Sequence, residues 1–159
     1  MLVPASWCRV AALTALAPRA VAYASAAAPY PVGVPGTPWA ATERAQWLSR
    51  QMVQRSYRDE VVAKVEMLRD RFVVERYGAL SHDEARYPLF AIRTREWSDS
   101  KPSVLVTGGV HGYETSGVQG AILFLQSAAL VYASRFNIVV APCVSPWAYE
   151  TIQRWNAQV

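Results

Sequence analysis

The chain has 159 residues, enough for one ordinary hydrophobic core and not demanding two. Hydrophobic residues make up 52% and charged residues 18%, with six Trp and eight Tyr, a composition that can pack a core and excludes wholesale disorder. The formal charge of +4 is not a nucleic-acid signature: Arg9 and Arg19 precede the first acid, Glu43, and the later arginines alternate with acids, as in Arg58-Asp59-Glu60 and Arg69-Asp70-Arg71.

Residues 1–38 read as an extension outside the fold. The stretch is rich in Ala, holds arginine without acid, and passes through small residues at Tyr23-Ala24-Ser25-Ala26, as a cleavable targeting peptide does. If it is one, the protein is secreted or organellar; if it comes from a mis-assigned start codon, the protein is cytoplasmic. No apolar run reaches the ~18 residues of a membrane span, because Pro18 and Arg19 interrupt the run from Val10 to Ala17. Only Cys8 and Cys143 occur, so there is no disulfide framework. The proline-rich stretch from Pro29 to Pro38 is an extended lead-in.

The domain is expected over 39–159. Thr42 to Val53 reads as a first helix with Thr42 at its N-cap. A second starts at the capping-box pattern Ser56-Tyr-Arg-Asp59 and carries Tyr57, Val61, Val65, Leu68 and Phe72 on one face. Phe72 to Tyr77 and Tyr87 to Arg95 then predict two strands of a hairpin, separated by Gly78 and a polar loop around His82. Ser103 to Thr107 predicts a buried strand ending at Gly108-Gly109. A long helix follows over Thr115 to Ala133, burying Val118, Ile122, Leu125 and Leu130, and Phe136 to Ala141 predicts a further strand. Strand, helix, strand implies a parallel crossover. The fold class is α/β, a mixed, partly parallel sheet flanked by helices, with the strand at Phe136 to Ala141 as an exposed apolar edge.

Ligands of open α/β sheets gather at the carboxyl ends of strands, and Gly108 to Glu114 sits at such an end. His111 and Glu114 are three residues apart, so one tight turn or first helical turn brings an imidazole nitrogen and a carboxylate to one cation, and zinc accepts both. The purely structural alternatives are a loop histidine bonded to a carbonyl and a helix-start acid favoured by the dipole. His82 and Glu84 with Pro142-Cys143 resemble a zinc deaminase arrangement, but Val144-Ser145-Pro146 supplies no second cysteine. Ser116 lies in no Gly-x-Ser-x-Gly elbow and there is no nucleotide-binding glycine loop. Cys143, after an apolar strand, reads as a buried small residue.

The succession of strand, Gly108-Gly109, Val110, His111-Gly-Tyr-Glu114 and helix resembles the metal-binding element of the M14 zinc carboxypeptidase superfamily, which includes aspartoacylase-like and succinylglutamate desuccinylase-like deacylases. Ala141-Pro-Cys-Val-Ser-Pro-Trp-Ala-Tyr-Glu150 with Arg154-Trp-Asn156 resembles the loop and arginine that follow in that family, although Ser145-Pro146-Trp147 departs from its usual Asn-Pro-Asp-Gly wording. The resemblance covers Ser103 to Gln158 and, more loosely, Pro31 to Trp97. It implies Zn2+ held by His111 and Glu114, Arg154 polarising the scissile carbonyl, and removal of C-terminal residues from peptides. An N-acyl amino-acid substrate is the deacylase alternative, and a noncatalytic remnant or interaction protein is the second. It also implies a third zinc-binding histidine, an Asn-Arg pair for the substrate carboxylate, a tyrosine and a catalytic glutamate, none of which is assignable before Val159. The expectation is therefore the first part of a catalytic domain, inactive by itself, taking neither nucleic acid nor a membrane span and of undetermined oligomeric state.

Overall fold

A computed structural model of the chain describes residues 31–157; the targeting-like stretch and Cys8 lie outside the described residues. Residues 31–37 belong to a separate unit from Pro38 onwards and form a tight turn, closed by the Thr37 N–H on the Val34 carbonyl.

Helix α1 spans Ala41–Ser49 and begins earlier than the sequence suggests, with Ala40 rather than Thr42 at its N-cap. The reason is the Glu43 carboxylate, which reaches back to accept the Ala40 N–H at 2.9 Å. The helix stops short of Val53, at Ser49, where the Arg50 and Gln51 N–H groups close tighter turns on the Trp47 and Leu48 carbonyls, and the chain beyond is held by the Glu150 carbonyl, which accepts from the Gln54 and Arg55 N–H groups at 2.7 and 3.2 Å. At Ser56 the expected cap forms, Oγ accepting the Asp59 N–H at 3.1 Å. The next turn, Arg58–Val62, is π-helical, with the Ala63 N–H on the Arg58 carbonyl, and runs into α2, Ala63–Glu66. The wider turn brings Tyr57, Val61 and Val65, each four residues apart, onto one face, and all three are buried together with Leu68 and Phe72.

Strands β1 (Val73–Ala79) and β2 (Pro88–Arg93) make the expected antiparallel hairpin, but β1 continues through Gly78, where a bulge shifts the register. Strand β3 covers Ser103–Thr107 and β4 covers Asn137–Ala141; they pair in parallel, as the crossover predicts. The sheet order is β1-β2-β4-β3. The expected apolar edge at β4 is therefore wrong: β4 is flanked on both sides, and β3 is the edge, with Leu105 68% exposed. Both strands carry a continuous apolar run in sequence; the long-range pairing of β2 with β4 decides which is buried.

Helix α3, Thr115–Ser127, buries Val118, Ile122 and Leu125 as expected. It ends where Ser127 Oγ bonds back to the Leu123 carbonyl, and a short α4, Ala129–Tyr132, restarts after Ala128. That break turns Leu130 outward, to 41% exposed, and buries Ala129 instead. The sheet register places Val74, Ile92, Ile138 and Val140 on one face, where they join the helical residues in a single core. The opposite face carries Val139, Leu105 and an Arg93–Glu75 ion pair. Helix α5, Pro146–Thr151, follows β4 and is buried along its whole length.

Candidate functional site

The exits of the two parallel strands are laced together. The Gly108 N–H bonds the Ala141 carbonyl at 2.9 Å, the Val144 N–H bonds Gly108, the Ser145 N–H bonds Gly109, and Ser145 Oγ donates to the Val110 carbonyl at 2.8 Å. Such close approach needs glycine. A Cβ at Gly108 would stand 2.6 Å from the Gly117 and Pro142 carbonyl oxygens, and Gly109 has φ of +57°. The Cys143 thiol beside this loop is buried, as predicted, and burial pushes its pKa up to about 12, against a smaller opposing effect of the Ser145 N–H. It is no nucleophile at neutral pH.

The chain leaves this lacing at His111 and turns at once into α3. The Glu114 N–H bonds the His111 carbonyl at 3.2 Å, so the two side chains emerge from one turn. Glu114 is the N-cap residue of α3, where the helix dipole favours its charge. His111 Nδ1 and Glu114 Oε1 stand 3.1 Å apart, with the side chains 24% and 54% exposed. Two donors bound at ~2.0–2.1 Å to a tetrahedral zinc stand roughly 3.3 Å apart, so the pair fits one such cation reached from solvent.

Arg154 is neither a helix-end residue nor remote from the motif. After α5, Ile152 adopts the left-handed conformation, φ 55°, and the chain doubles back along the motif. The Gly112 N–H then bonds the Arg154 carbonyl at 3.1 Å and the Tyr113 N–H bonds the Gln153 carbonyl at 3.0 Å. Arg154 Nε thereby lies 3.4 Å from His111 Nε2. Gly112 is what permits the contact, since a Cβ there would sit 2.1 Å from the Ala148 carbonyl carbon on α5.

The three residues singled out in the sequence thus come together. Two that were not complete the wall: Tyr113 stacks on the His111 ring at 5.8 Å and Trp155 meets it edge-on at 4.6 Å. Their signal was adjacency alone, one residue from Glu114 and one from Arg154. His82 instead packs against Tyr87 and Trp147, and among the described residues no cluster of three His, Cys, Asp or Glu side chains forms. Neither His82 nor Cys143 therefore builds a deaminase-like set.

No family model matches the chain and no curated protein matches it. Solved structures do. A protein provisionally classed as a metallopeptidase from Shewanella baltica OS155 shares 25% identity with a TM-score of 0.54, the match covering 62% of this chain and 36% of that one. A second such protein, from Shewanella amazonensis SB2B, shares 23% identity with a TM-score of 0.52, over 67% of this chain and 42% of its own. A metallo-carboxypeptidase from Pseudomonas aeruginosa, solved with (2-guanidinoethylmercapto)succinic acid, shares 21% identity with a TM-score of 0.50, over 63% and 28% respectively. The matches thus span less than half the length of these structures. Over that part, the chain has the mixed α/β fold of metallocarboxypeptidase-like metallopeptidases.

Proposed function

We propose that the chain carries part of the catalytic domain of a zinc-dependent hydrolase of the metallocarboxypeptidase type, with His111 and Glu114 as two metal ligands and Arg154 as the group that binds the scissile carbonyl oxygen. The observation that carries the reading is the 3.1 Å approach of His111 Nδ1 to Glu114 Oε1 from a single turn, with Arg154 held beside them. Zinc at such a pair polarises a carbonyl and acidifies bound water. The chain's own part is placement. The glycine lacing fixes the His111 backbone, and the α3 N-terminus supports the Glu114 charge. Arg154 keeps both Nη groups without an acceptor among the described residues, so they are available to an oxygen that becomes anionic. The exposed rings of Tyr113 and Trp155 offer the peptide an apolar wall.

A catalytic zinc normally takes three protein ligands and a carboxylate base. The described residues supply two ligands, so by themselves they are expected to hold zinc weakly and to release no C-terminal residues from peptides. Metal analysis after equilibrium dialysis tests the assignment. Wild type should retain more zinc than His111→Ala or Glu114→Ala, and equal zinc in all three would remove the proposal.

A further inference from the structure

A cleft of about 650 Å3 lies between the π-helical turn, the loop joining β1 to β2, and α5, and none of its lining residues belongs to the His111 site. The volume suits a small molecule, for which pockets of roughly 300–1,000 Å3 are typical. Its charged lining residues are Arg58, Asp83, Arg86 and Glu150. Glu150 is buried with both oxygens engaged. Oε1 accepts the Tyr57 N–H at 3.0 Å, and Oε2 accepts the Tyr87 hydroxyl at 2.9 Å and Arg86 Nε at 2.8 Å, with Arg86 Nη2 also 2.8 Å away. The carboxylate is thus met by Arg86 and serves to fix one edge of that guanidinium. Arg86 Nη1 is left without an acceptor among the described residues. Arg58 is exposed, and its side chain makes no hydrogen bond or ion pair among the described residues.

Two guanidinium groups at one cleft favour an anion, and their planar N–H forks match the two oxygens of a carboxylate. Arg86 is pre-set for such a ligand, since a side chain already held loses less freedom when the ligand arrives. Asp83 limits which anion fits. It lines the same cleft, its Oδ1 accepting the Arg86 N–H at 3.0 Å, and its charge opposes a second negative group on the ligand while favouring a positive one. A phosphate or a dicarboxylate is thereby disfavoured and a zwitterion favoured. Val62 and Pro88 add apolar surface to the same lining. We propose that the cleft binds a free α-amino acid with an apolar side chain. Its carboxylate pairs with Arg58 and Arg86, its ammonium lies beside Asp83, and its side chain rests on Val62 and Pro88. This site shares no residue with the His111–Glu114 pair and needs no metal there.

The test titrates the whole chain with three ligands: L-leucine, N-acetyl-L-leucine, which lacks the ammonium, and L-leucinamide, which lacks the carboxylate. Calorimetry gives the affinities, and the backbone amide resonances of Tyr57, Asp83 and Arg86 give the place. L-leucine should bind about tenfold more tightly than either analogue, tenfold being about 1.4 kcal/mol. It should shift those three resonances and leave Tyr113 and Trp155 unmoved. Arg58→Ala should weaken L-leucine by about tenfold. Asp83→Asn keeps an oxygen for the Arg86 N–H and should remove most of the preference for L-leucine over N-acetyl-L-leucine. Both side chains are exposed, so the urea midpoints of these variants should match wild type, and the three-ligand comparison itself needs no variant. N-acetyl-L-leucine or L-leucinamide binding as tightly as L-leucine, an unchanged affinity in Arg58→Ala, or no saturable shift at the three resonances with L-leucine would each overturn the assignment.

Discussion

Adding a single methyl group at Gly112 should separate the two halves of the site. The new Cβ would stand 2.1 Å from the Ala148 carbonyl carbon and 2.4 Å from its oxygen and Cβ. Ordinary contact is 3.4–4 Å, so one segment must retreat by more than an ångström. Neither can do so freely. Ala148 is fully buried within α5, and the motif loop is bonded to Gln153 and Arg154 through two backbone N–H groups. Overpacking of this kind costs about 1–3 kcal/mol, and losing the two backbone bonds adds roughly 1 kcal/mol each, so Gly112→Ala should destabilise by about 3–5 kcal/mol. In urea, with a slope of about 1–3 kcal/mol per molar, the unfolding midpoint should fall by roughly 2 M. The control is Gly120→Ala on α3, where a Cβ meets nothing within 4 Å; relief of backbone entropy there should stabilise by about 0.5–1 kcal/mol. A Gly112→Ala midpoint matching wild type, or both variants moving in the same direction, would refute the claim that the motif glycine serves this approach.

Three further outcomes follow from the geometry. Glu150 is 4% exposed and accepts from the Tyr57 N–H, the Tyr87 hydroxyl and Arg86, so Glu150→Ala strands all three donors. Because Arg86 itself is half-exposed, the loss should lie near the lower end of the ~3–5 kcal/mol typical of broken buried pairs, read as a Tm drop on the order of 10 °C; a change under a few degrees would count against it. Ile152 holds a left-handed conformation that disfavours β-branched side chains, so Ile152→Gly should raise stability by up to about 1 kcal/mol in denaturant titration, and a loss would show that its side-chain contacts outweigh the strain. Burial holds the Cys143 and Tyr149 pKa values up to about 12, above the ordinary range of both groups. Between those ordinary values and about 12 the unfolded chain loses protons that the folded chain keeps, so stability should fall as pH rises through that window. Cys143→Ala should flatten the fall, and in a Cys8→Ser background the native thiol should resist iodoacetamide at pH 8 until the protein is denatured.

What the sequence determined by itself was local and periodic. The Ser56 cap, the buried stripe of Tyr57, Val61, Val65, Leu68 and Phe72, the hairpin, the strand–helix–strand crossover and the pairing of His111 with Glu114 all rest on spacing, which covalent geometry converts directly into shared faces and turns. What the tertiary structure alone decided was long-range partnership. The segment after helix α1 is held by a carbonyl some hundred residues away, that of Glu150, which takes the Gln54 and Arg55 N–H groups, and β4 lies inside the sheet because β2 pairs with it rather than with the comparably apolar β3. Arg154 reaches His111 only because Ile152 turns the chain back and Gly112 lets it close, and Tyr113 and Trp155 become walls of the site by the same return. Each of these is a competition for one partner among several of similar local merit. Burial and hydrogen bonding in the assembled molecule settle such contests, and no spacing along the chain encodes them.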